Sequence, residues 1–510
     1  MLKISEKLTE HRSRGGIINV VIFAICALFL CLRFWHIDAD FPLNVTWSAA
    51  PFTDEGYYAS AAIRFLRTKS WYLAGDFNPI VNMPVGQLIH ALVFATIGPS
   101  LWAARISGLV AAALSIPCVY LIVRTYEDHR TALISSLLLA SNYVAFAYSR
   151  LAVMESLALF FALSAILVCA FGIHRRKISF VVLGSILAAL AVLTKGSMLF
   201  VFPVLLAVAF TDASKSFKQR VVYMLIACGV GASIVFAYVF AVSHYYGPDY
   251  SYFVDINFQA RRVSSLVELV RNIISQAYGV RQIGIVFVGI SALSIALAIG
   301  LSGFTGRSSI LSKPIVRICI VYVITYFVSL VPVAYGPSRY FVPLIPAIAI
   351  LCAVSLKGLE EFIRGRLGPT ILSHAPFVLV SIVMASGAYQ IGIYLTNLQY
   401  SYLTMLKQAA SLMSDGRTNG AVPKIFGNLS NTLALEATSI PINAELGLDN
   451  VRSRFEQHSP EFLVTAWDED DLLSTVSQAN CEAILVGEWR VLENYYPDHK
   501  NVKLWMIRHR

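Results

Sequence analysis

Hydrophobic residues occur along this chain in long runs that short polar loops separate. A helix needs about 20 apolar residues to cross a bilayer, and eleven runs approach or reach that length. They lie near 17–35, 101–123, 131–149, 155–173, 178–194, 197–210, 221–242, 283–302, 317–334, 340–356 and 371–394. The pattern predicts an α-helical polytopic membrane protein with about 11 spans.

One further apolar segment, Met83 to Gly98, is too short to span and contains Pro84. Counting it as a span would invert every later loop, so an interfacial helix fits better. Residues 36–100 are therefore predicted to form one large outer loop with surface helices near 57–68 and 85–97.

The pattern changes at about residue 396. Short β-type runs at 424–426, 462–465, 483–486 and 502–507 alternate with a helical stretch at 469–478. This mixture predicts a small α/β domain over 396–510, following a membrane domain over 1–395.

Composition supports a membrane protein: 57% of residues are hydrophobic and only 14% are charged. The net charge of +10 does not indicate nucleic-acid binding, because the basic residues cluster in alternate loops, as orientation signals do. The cysteines show no disulfide or zinc-binding spacing. The charge pattern predicts a cytoplasmic N-terminus and an outer C-terminal domain. The absence of an obvious eukaryotic retention signal favours a bacterial inner membrane. The basic residues on the predicted inner side are Lys3, Lys7, Arg12, Arg14, Arg124, Arg130, Arg175, Arg176, Lys177, Lys215, Lys218, Arg220, Arg307, Lys313, Arg317, Lys357, Arg364 and Arg366.

This topology brings several ionisable residues to the outer face. Charged groups at a membrane are costly and usually functional, so they form a candidate site. They are Asp54, Glu55, Glu155, Lys195 and Arg339, together with the 243–282 loop that contains His244.

Each residue also has a structural interpretation. Asp54 and Glu55 could begin a helix, and Glu155 could pair with Arg150. Lys195 and Arg339 could anchor lipid headgroups, and the 243–282 loop could form an interfacial aromatic belt.

Six short elements occur in order along the chain. They are Thr53-Asp54-Glu55-Gly56-Tyr57-Tyr58, Asn82-Met83-Pro84-Val85-Gly86-Gln87-Leu88, Ala104-Arg105-Ile106-Ser107-Gly108, Arg150-Leu151-Ala152-Val153-Met154-Glu155, Leu193-Thr194-Lys195-Gly196 and Ser338-Arg339-Tyr340 with Pro343 and Pro346. Together they resemble the GT-C type glycosyltransferases that use lipid-linked sugars, particularly the protein O-mannosyltransferase and lipid A aminoarabinose transferase group. The resemblance covers roughly residues 17–350. Asn82 and Met83 stand where the group has a basic residue, and Glu155 stands where an aspartate is common.

The resemblance implies a hexosyl- or pentosyltransferase with a polyprenyl-phosphate-sugar donor and a protein, lipid or glycan acceptor. Asp54 is the expected base, with Glu55 or Glu155 orienting the acceptor or a cation. Arg339, Lys195 and Arg105 are the expected phosphate ligands, and direct displacement would invert the anomeric centre. A divalent metal on Asp54 and Glu155 is left open, because no ligand spacing demands one. The residues expected to line the substrate vestibule are Tyr57, Tyr58, His244 and Tyr340.

Two other function classes fit many spans with charged groups. A transporter or flippase of a lipid-linked glycan would place charges near mid-membrane and often has paired halves, whereas here the acids lie at one face and no repeat is visible. A non-catalytic membrane protein with a partner-binding outer domain is the second alternative.

Overall fold

The computed structural model describes residues 19–46, 48, 50–211, 215–305, 310–368, 370, 374–415, 422–491 and 501–509. The first residues of the predicted runs 17–35 and 371–394 lie outside this set. So do the basic residues Lys3, Lys7, Arg12, Arg14 and Arg307.

Helices make up most of the described chain, as the apolar runs predict. They are α1 Asn19–Phe34, α2 Ala50–Tyr57, α3 Ser60–Thr68, α4 Pro84–Ile97, α5 Leu101–Tyr126, α6 His129–Ala140, α7 Tyr143–Tyr148, α8 Met154–Arg175, α9 Ile178–Thr194, α10 Val201–Thr211, α11 Phe217–Tyr245, α12 Gly247–Val254, α13 Leu266–Gly279, α14 Ile285–Thr305, α15 Pro314–Leu330, α16 Leu344–Leu367, α17 Ala375–Thr396, α18 Ser401–Asp415, α19 Ser430–Glu436, α20 Val451–His458 and α21 Glu469–Gln478.

Several of these helices are long and apolar enough to cross a membrane, so the protein is a multi-pass membrane protein. By length and composition the described residues hold four such helices, α5, α8, α11 and the stretch Ala375–Asp415. The bent pair Leu266–Ile283 and Ile285–Leu301 would make five. Further apolar helices, including α1, α4, α9 and α15, are shorter. The number of 11 spans therefore stays a prediction.

Local sequence explains where the helices begin and bend. The side chains of Ser100, Asp128 and Asn142 cap the first turns of α5, α6 and α7 by accepting backbone N–H bonds. The 108° bend before α14 falls at Gly284, whose φ of +113° suits glycine and few other residues. Caps and glycine thus break apolar sequence into helices of defined length.

The C-terminal part contains one five-stranded sheet with the order β2-β1-β3-β5-β4. Strands β2, β1 and β3 are parallel, and β5 runs antiparallel to both β3 and β4. The predicted fold class, with a small C-terminal α/β domain, is confirmed, whereas the boundary at residue 396 stays a prediction. The strands are β1 Lys424–Gly427, β2 Ile440–Ile442, β3 Phe462–Thr465, β4 Cys481–Trp489 and β5 Val502–His509.

The large loop and the C-terminal domain share one hydrophobic core. Phe52 and Ile63 from the loop are buried with Leu406, Leu433 and Leu504 from the C-terminal part. This core is separate from the larger one that the membrane helices form. The loop and the domain therefore pack as one layer on the helical bundle.

A buried ionic cluster joins the same two parts. Asp76, in the loop, pairs with Arg64 and lies 3.3 Å from the Nη1 of Arg454 in α20. Arg64 Nη2 also donates to the Pro441 carbonyl at 3.2 Å. Removing one member of such a cluster leaves a buried charge unpaired, so the cluster ties the domain firmly to the loop.

Candidate functional site

Four of the predicted site residues form one network, here called the tetrad: Asp54, Glu155, Lys195 and Arg339. Arg339 lies at its centre, because its Nη1 pairs with Asp54 and its Nε is 3.6 Å from Glu155 Oε1. Lys195 Nζ reaches the same Glu155 oxygen at 2.7 Å. Two acids and two bases that lie far apart in sequence thus meet at one place.

Separate elements position each tetrad side chain. Glu155 is in the first turn of α8, where the positive helix end favours a carboxylate. Lys195 follows α9 directly in extended backbone. Arg339 lies in a short 3-10 turn after Pro337, and Asp54 lies in the second half of α2.

Buried tyrosines hold the turn that carries Arg339. Tyr148 and Ser338 hydroxyls are 2.7 Å apart, and the Tyr326 hydroxyl donates to the Tyr340 carbonyl at 2.6 Å. The backbone on both sides of Arg339 is therefore fixed, which aims the guanidinium at the carboxylates.

Both cations of the tetrad stay charged in these surroundings. Desolvation is the largest single effect on Arg339 and lowers its pKa, but Asp54, Tyr58, Glu155 and Tyr340 together raise it well above the usual value. Desolvation is also the largest single effect on Lys195, and there Glu155, Tyr58 and Tyr340 together raise the pKa by more than desolvation lowers it.

Aromatic rings line one side of the tetrad. Lys195 Nζ is 5.2 Å from the centre of the Tyr340 ring and 5.9 Å from that of Tyr58. The Arg339 guanidinium is 5.5 Å from the Tyr340 ring. These separations suit cation–π contacts. Tyr58 and Tyr340 therefore border the site.

The structure does not bring the other predicted residues into the tetrad. Tyr57 stacks on Phe77 at 4.9 Å and makes an edge contact with Tyr58. Burial raises the pKa of Tyr57, and the Asp54 carboxylate lies close enough for its charge to raise that pKa further. His244 lies exposed in the last turn of α11 with its ring 4.9 Å from Tyr245, and no recorded contact links it to the tetrad among the described residues.

Glu55 and Arg105 form a separate buried ion pair. Both Glu55 oxygens accept bonds from Arg105, at 2.7 Å each, and Oε1 also accepts from the Ala152 amide at 2.8 Å. Arg105 Nη1 donates to the carbonyls of Ile37 and Ala39. With 0% of Glu55 exposed, this pair joins α2 to three neighbouring segments.

Two structural interpretations of the sequence prove wrong. Asp54 and Glu55 do not begin a helix, because α2 starts at Ala50. Glu155 does not pair with Arg150, whose guanidinium instead donates to the carbonyls of Arg33 and Trp35 at the end of α1.

Side chains already balance the two carboxylates that could hold a metal. Arg339 pairs with Asp54, and Arg339 and Lys195 share one oxygen of Glu155. No group of three or more histidine, cysteine or acidic side chains is arranged to hold a metal ion in the part of the chain that the structure describes. The positive charge that the two carboxylates require is already supplied by side chains.

Sequence reasoning missed the contact between α2 and the C-terminal domain. Thr432 Oγ1 in α19 donates to the Phe52 carbonyl at 2.9 Å, and the Tyr402 hydroxyl donates to the same carbonyl. A Cβ at Gly56 would lie 2.2 Å from the Thr432 nitrogen. Gly56, directly after the acid pair, was the available signal for such a close approach.

Comparisons with known proteins agree with this architecture. Residues 79–239 match the family described as dolichyl-phosphate-mannose-protein mannosyltransferase. The undecaprenyl phosphate-alpha-4-amino-4-deoxy-L-arabinose arabinosyl transferase 2 of Proteus mirabilis is 24% identical over 234 residues. That match covers 44% of this chain and spans only 41% of the relative's length.

Solved structures match over nearly the whole chain. The apo crystal structure of ArnT from Cupriavidus metallidurans has a TM-score of 0.60 at 16% identity, covering 97% of this chain and 98% of that one. The same protein bound to undecaprenyl phosphate gives 0.58 at 15% identity, covering 96% and 98%. The Archaeoglobus fulgidus oligosaccharyltransferase gives 0.56 at 12% identity, covering 89% and 69%. The chain therefore has the GT-C fold, and its resemblance to the GT-C type polyprenyl-phosphate-sugar glycosyltransferases is confirmed.

Proposed function

We propose that this chain is a membrane glycosyltransferase that moves a sugar from a polyprenyl-phosphate donor to an acceptor at the outer face of the membrane. One observation carries the proposal: a guanidinium and an ammonium lie in one network with two carboxylates, beside apolar helices. This combination provides both a phosphate-binding group and a base in one place.

Arg339 and Lys195 are the groups proposed to bind the donor phosphate. Arg339 offers a planar fork that matches phosphate oxygens, and Lys195 adds a point charge. Without donor, Asp54 and Glu155 balance these charges. The phosphate of an arriving donor would compete with Asp54 for Arg339 and thereby free the Asp54 carboxylate.

Asp54 is proposed as the general base. Its side chain is 19% exposed, whereas that of Glu155 is 1% exposed, so Asp54 is the acid that an acceptor can reach. It would take the proton of the acceptor hydroxyl while that oxygen bonds to the anomeric carbon. The bond between this carbon and the phosphate oxygen would break, releasing polyprenyl phosphate with inversion.

The remaining ionisable residues are proposed to position the others. Glu155 holds Lys195 and Arg339 at a fixed spacing. Glu55 and Arg105, predicted from the sequence as an acceptor-orienting acid and a phosphate ligand, face each other and not the tetrad. Their proposed role is to fix α2, and with it Asp54.

The site is proposed to face the outside of a bacterial inner membrane, with the N-terminus in the cytoplasm. The alternation of basic loops supports this orientation. The transferred unit is proposed to be a hexosyl or pentosyl group, and the similarity to the arabinosyl transferase of Proteus mirabilis supports this class.

The test is a donor panel. Purified full-length protein would be incubated with radiolabelled undecaprenyl-phosphate sugars, both pentoses and hexoses, and bacterial envelope extract as acceptor. The expected result is consumption of one donor with release of undecaprenyl phosphate and labelling of the acceptor. A flippase would leave every donor chemically unchanged, and intact donors across the whole panel would refute the proposal.

A further inference from the structure

The parallel part of the C-terminal sheet brings a group of polar side chains to one edge. Because β2, β1 and β3 are parallel, their carboxyl ends lie at the same edge, where open α/β sheets commonly bind ligands. The residues that follow these strands, here called the strand-end cluster, are Asn428 after β1, Glu445 after β2, and Trp467 and Asp468 after β3.

The strand-end cluster lies beside aromatic residues that lead to the tetrad. Two residues beyond Glu445, the Gly447 amide donates to the Tyr252 hydroxyl at 3.1 Å, and the Tyr252 ring is 6.2 Å from Phe77, which stacks on Tyr57. Burial and the charges of Asp468 and Asp54 raise the pKa of Glu445, and the charge of Arg261 opposes this rise. The Arg261 guanidinium is 4.7 Å from the Tyr335 ring, and that ring is 5.6 Å from the ring of Tyr340, which borders the tetrad. The strand-end cluster and Asp54 therefore border the same space.

The side-chain oxygen of one buried amide in the cluster has no hydrogen-bond partner among the described residues. Asn428 is 8% exposed and forms a side-chain hydrogen bond with Asp468. Its Oδ1 accepts no hydrogen bond from any described residue. Buried polar groups are nearly always paired, so an unpaired acceptor at this edge indicates a ligand that donates a hydrogen bond.

The side chains of the cluster suit a saccharide. Trp467 is 40% exposed and presents an aromatic surface, while Asp468, Glu445 and Asn428 provide hydrogen-bond acceptors. A sugar ring combines an apolar face with several hydroxyl donors, and pockets for such ligands pair aromatic rings with a few polar groups. The carboxylates disfavour an anionic ligand.

We infer that the strand-end cluster is the acceptor subsite, and that the acceptor is a saccharide without anionic groups near the reacting hydroxyl. The role as acceptor subsite rests on the proposed function. Saccharide binding by the cluster can be tested without turnover. The cluster would hold the sugar ring while one hydroxyl reaches Asp54.

Two measurements on the full-length protein in detergent test the inference. The first is binding of neutral oligosaccharides (maltohexaose, mannohexaose and chitohexaose) by saturation-transfer NMR, with a glycolipid bearing a neutral headgroup as a separate arm. The second is donor turnover by the panel described above, with and without the oligosaccharide that binds.

Trp467→Ala and Asp468→Asn are expected to weaken saccharide binding by at least about tenfold. Circular dichroism should show both variants folded like wild type. Matched controls in the same domain are Leu485→Ala, an exposed residue of β4, and Glu456→Gln, which pairs with Arg452 at the surface. Both controls should bind like wild type.

The outcomes separate the two proposals. Saccharide binding that depends on Trp467, in a protein that consumes no donor, would keep the saccharide site but refute the glycosyltransferase and with it the role as acceptor subsite. Donor consumption without binding of any saccharide, or binding that Trp467→Ala leaves intact, would overturn the inference. Binding of an unstructured peptide that depends on Trp467, in a protein that binds no saccharide, would also overturn it. A response in the glycolipid arm alone would support it and identify a lipid-linked source.

Discussion

Substitution of Glu55 by alanine is expected to destabilise the protein by about 3–5 kcal/mol, the usual cost of removing one partner from a buried ion pair. Glu55 and Arg105 are fully buried and joined by two bonds of 2.7 Å. In the variant, Arg105 would keep its carbonyl partners at Ile37 and Ala39 but lose its counter-charge. The Ala152 amide would also lose its acceptor.

Removal of both charges should restore much of the lost stability. An apolar pair of similar volume, Glu55→Leu with Arg105→Met, leaves no buried charge, and such replacements are often neutral or stabilising. The assay is denaturant unfolding in detergent micelles, followed by intrinsic fluorescence, for both single variants and the double variant. A Glu55→Ala protein within about 1 kcal/mol of wild type would refute the reasoning, because the cost of an unpaired buried charge would then be absent.

Asp54→Asn is the matched control for that experiment. Asp54 is the neighbouring acid on the same helix but is partly exposed, and asparagine can still accept a bond from Arg339. Its effect on stability should therefore be much smaller, while its effect on transfer should be large. Equal destabilisation by both changes would contradict the separate roles assigned to the two acids.

Three further predictions follow from single contacts. Gly56→Ala should abolish transfer and lower the unfolding midpoint, because the new Cβ would lie 2.2 Å from the Thr432 nitrogen. Wild-type behaviour in both assays would contradict the close packing of α2 on α19. Arg339→Lys should weaken donor binding by about 1–3 kcal/mol, since charge-assisted hydrogen bonds from the fork are lost, and titration with undecaprenyl phosphate checks this. Desolvation lowers the pKa of His458, so the folded state resists protonation of this side chain. The free energy of unfolding should therefore fall as the pH drops below about 6.5. His458→Gln should reduce this pH dependence in unfolding measured from pH 8 to pH 5.

Hydrophobic periodicity predicted the elements because each element carries its own pattern. The helix at 469–478 and the strand at 462–465 match the structure. The helix buries Leu472 and Val476, four residues apart, and the strand is a short apolar run buried on both faces, so both patterns lie within neighbouring residues. Span number was less accessible. The predicted loop at 243–282 contains the apolar helix α13, which joins α14 across a bend of 108°, and sequence alone does not show whether such a bent pair crosses the membrane.

The four members of the tetrad meet in the structure, whereas their catalytic role stays a prediction. The sequence could not show which of the two adjacent acids, Asp54 or Glu55, faces the tetrad. Adjacent helical residues point about 100° apart, so only one can face the site, and the choice depends on how the bundle surrounds the helix. The cluster of Asp76 with Arg64 and Arg454 was equally inaccessible, because its members lie up to 378 positions apart.

The central claim is that Asp54 takes the proton of the acceptor during sugar transfer. The most direct test is single-turnover transfer by Asp54→Asn with a saturating labelled donor, in protein shown by titration to bind undecaprenyl phosphate and by fluorescence to be folded. The account predicts a rate lower by roughly 10²–10⁴-fold, the usual contribution of a general base. Transfer at close to the wild-type rate would contradict it.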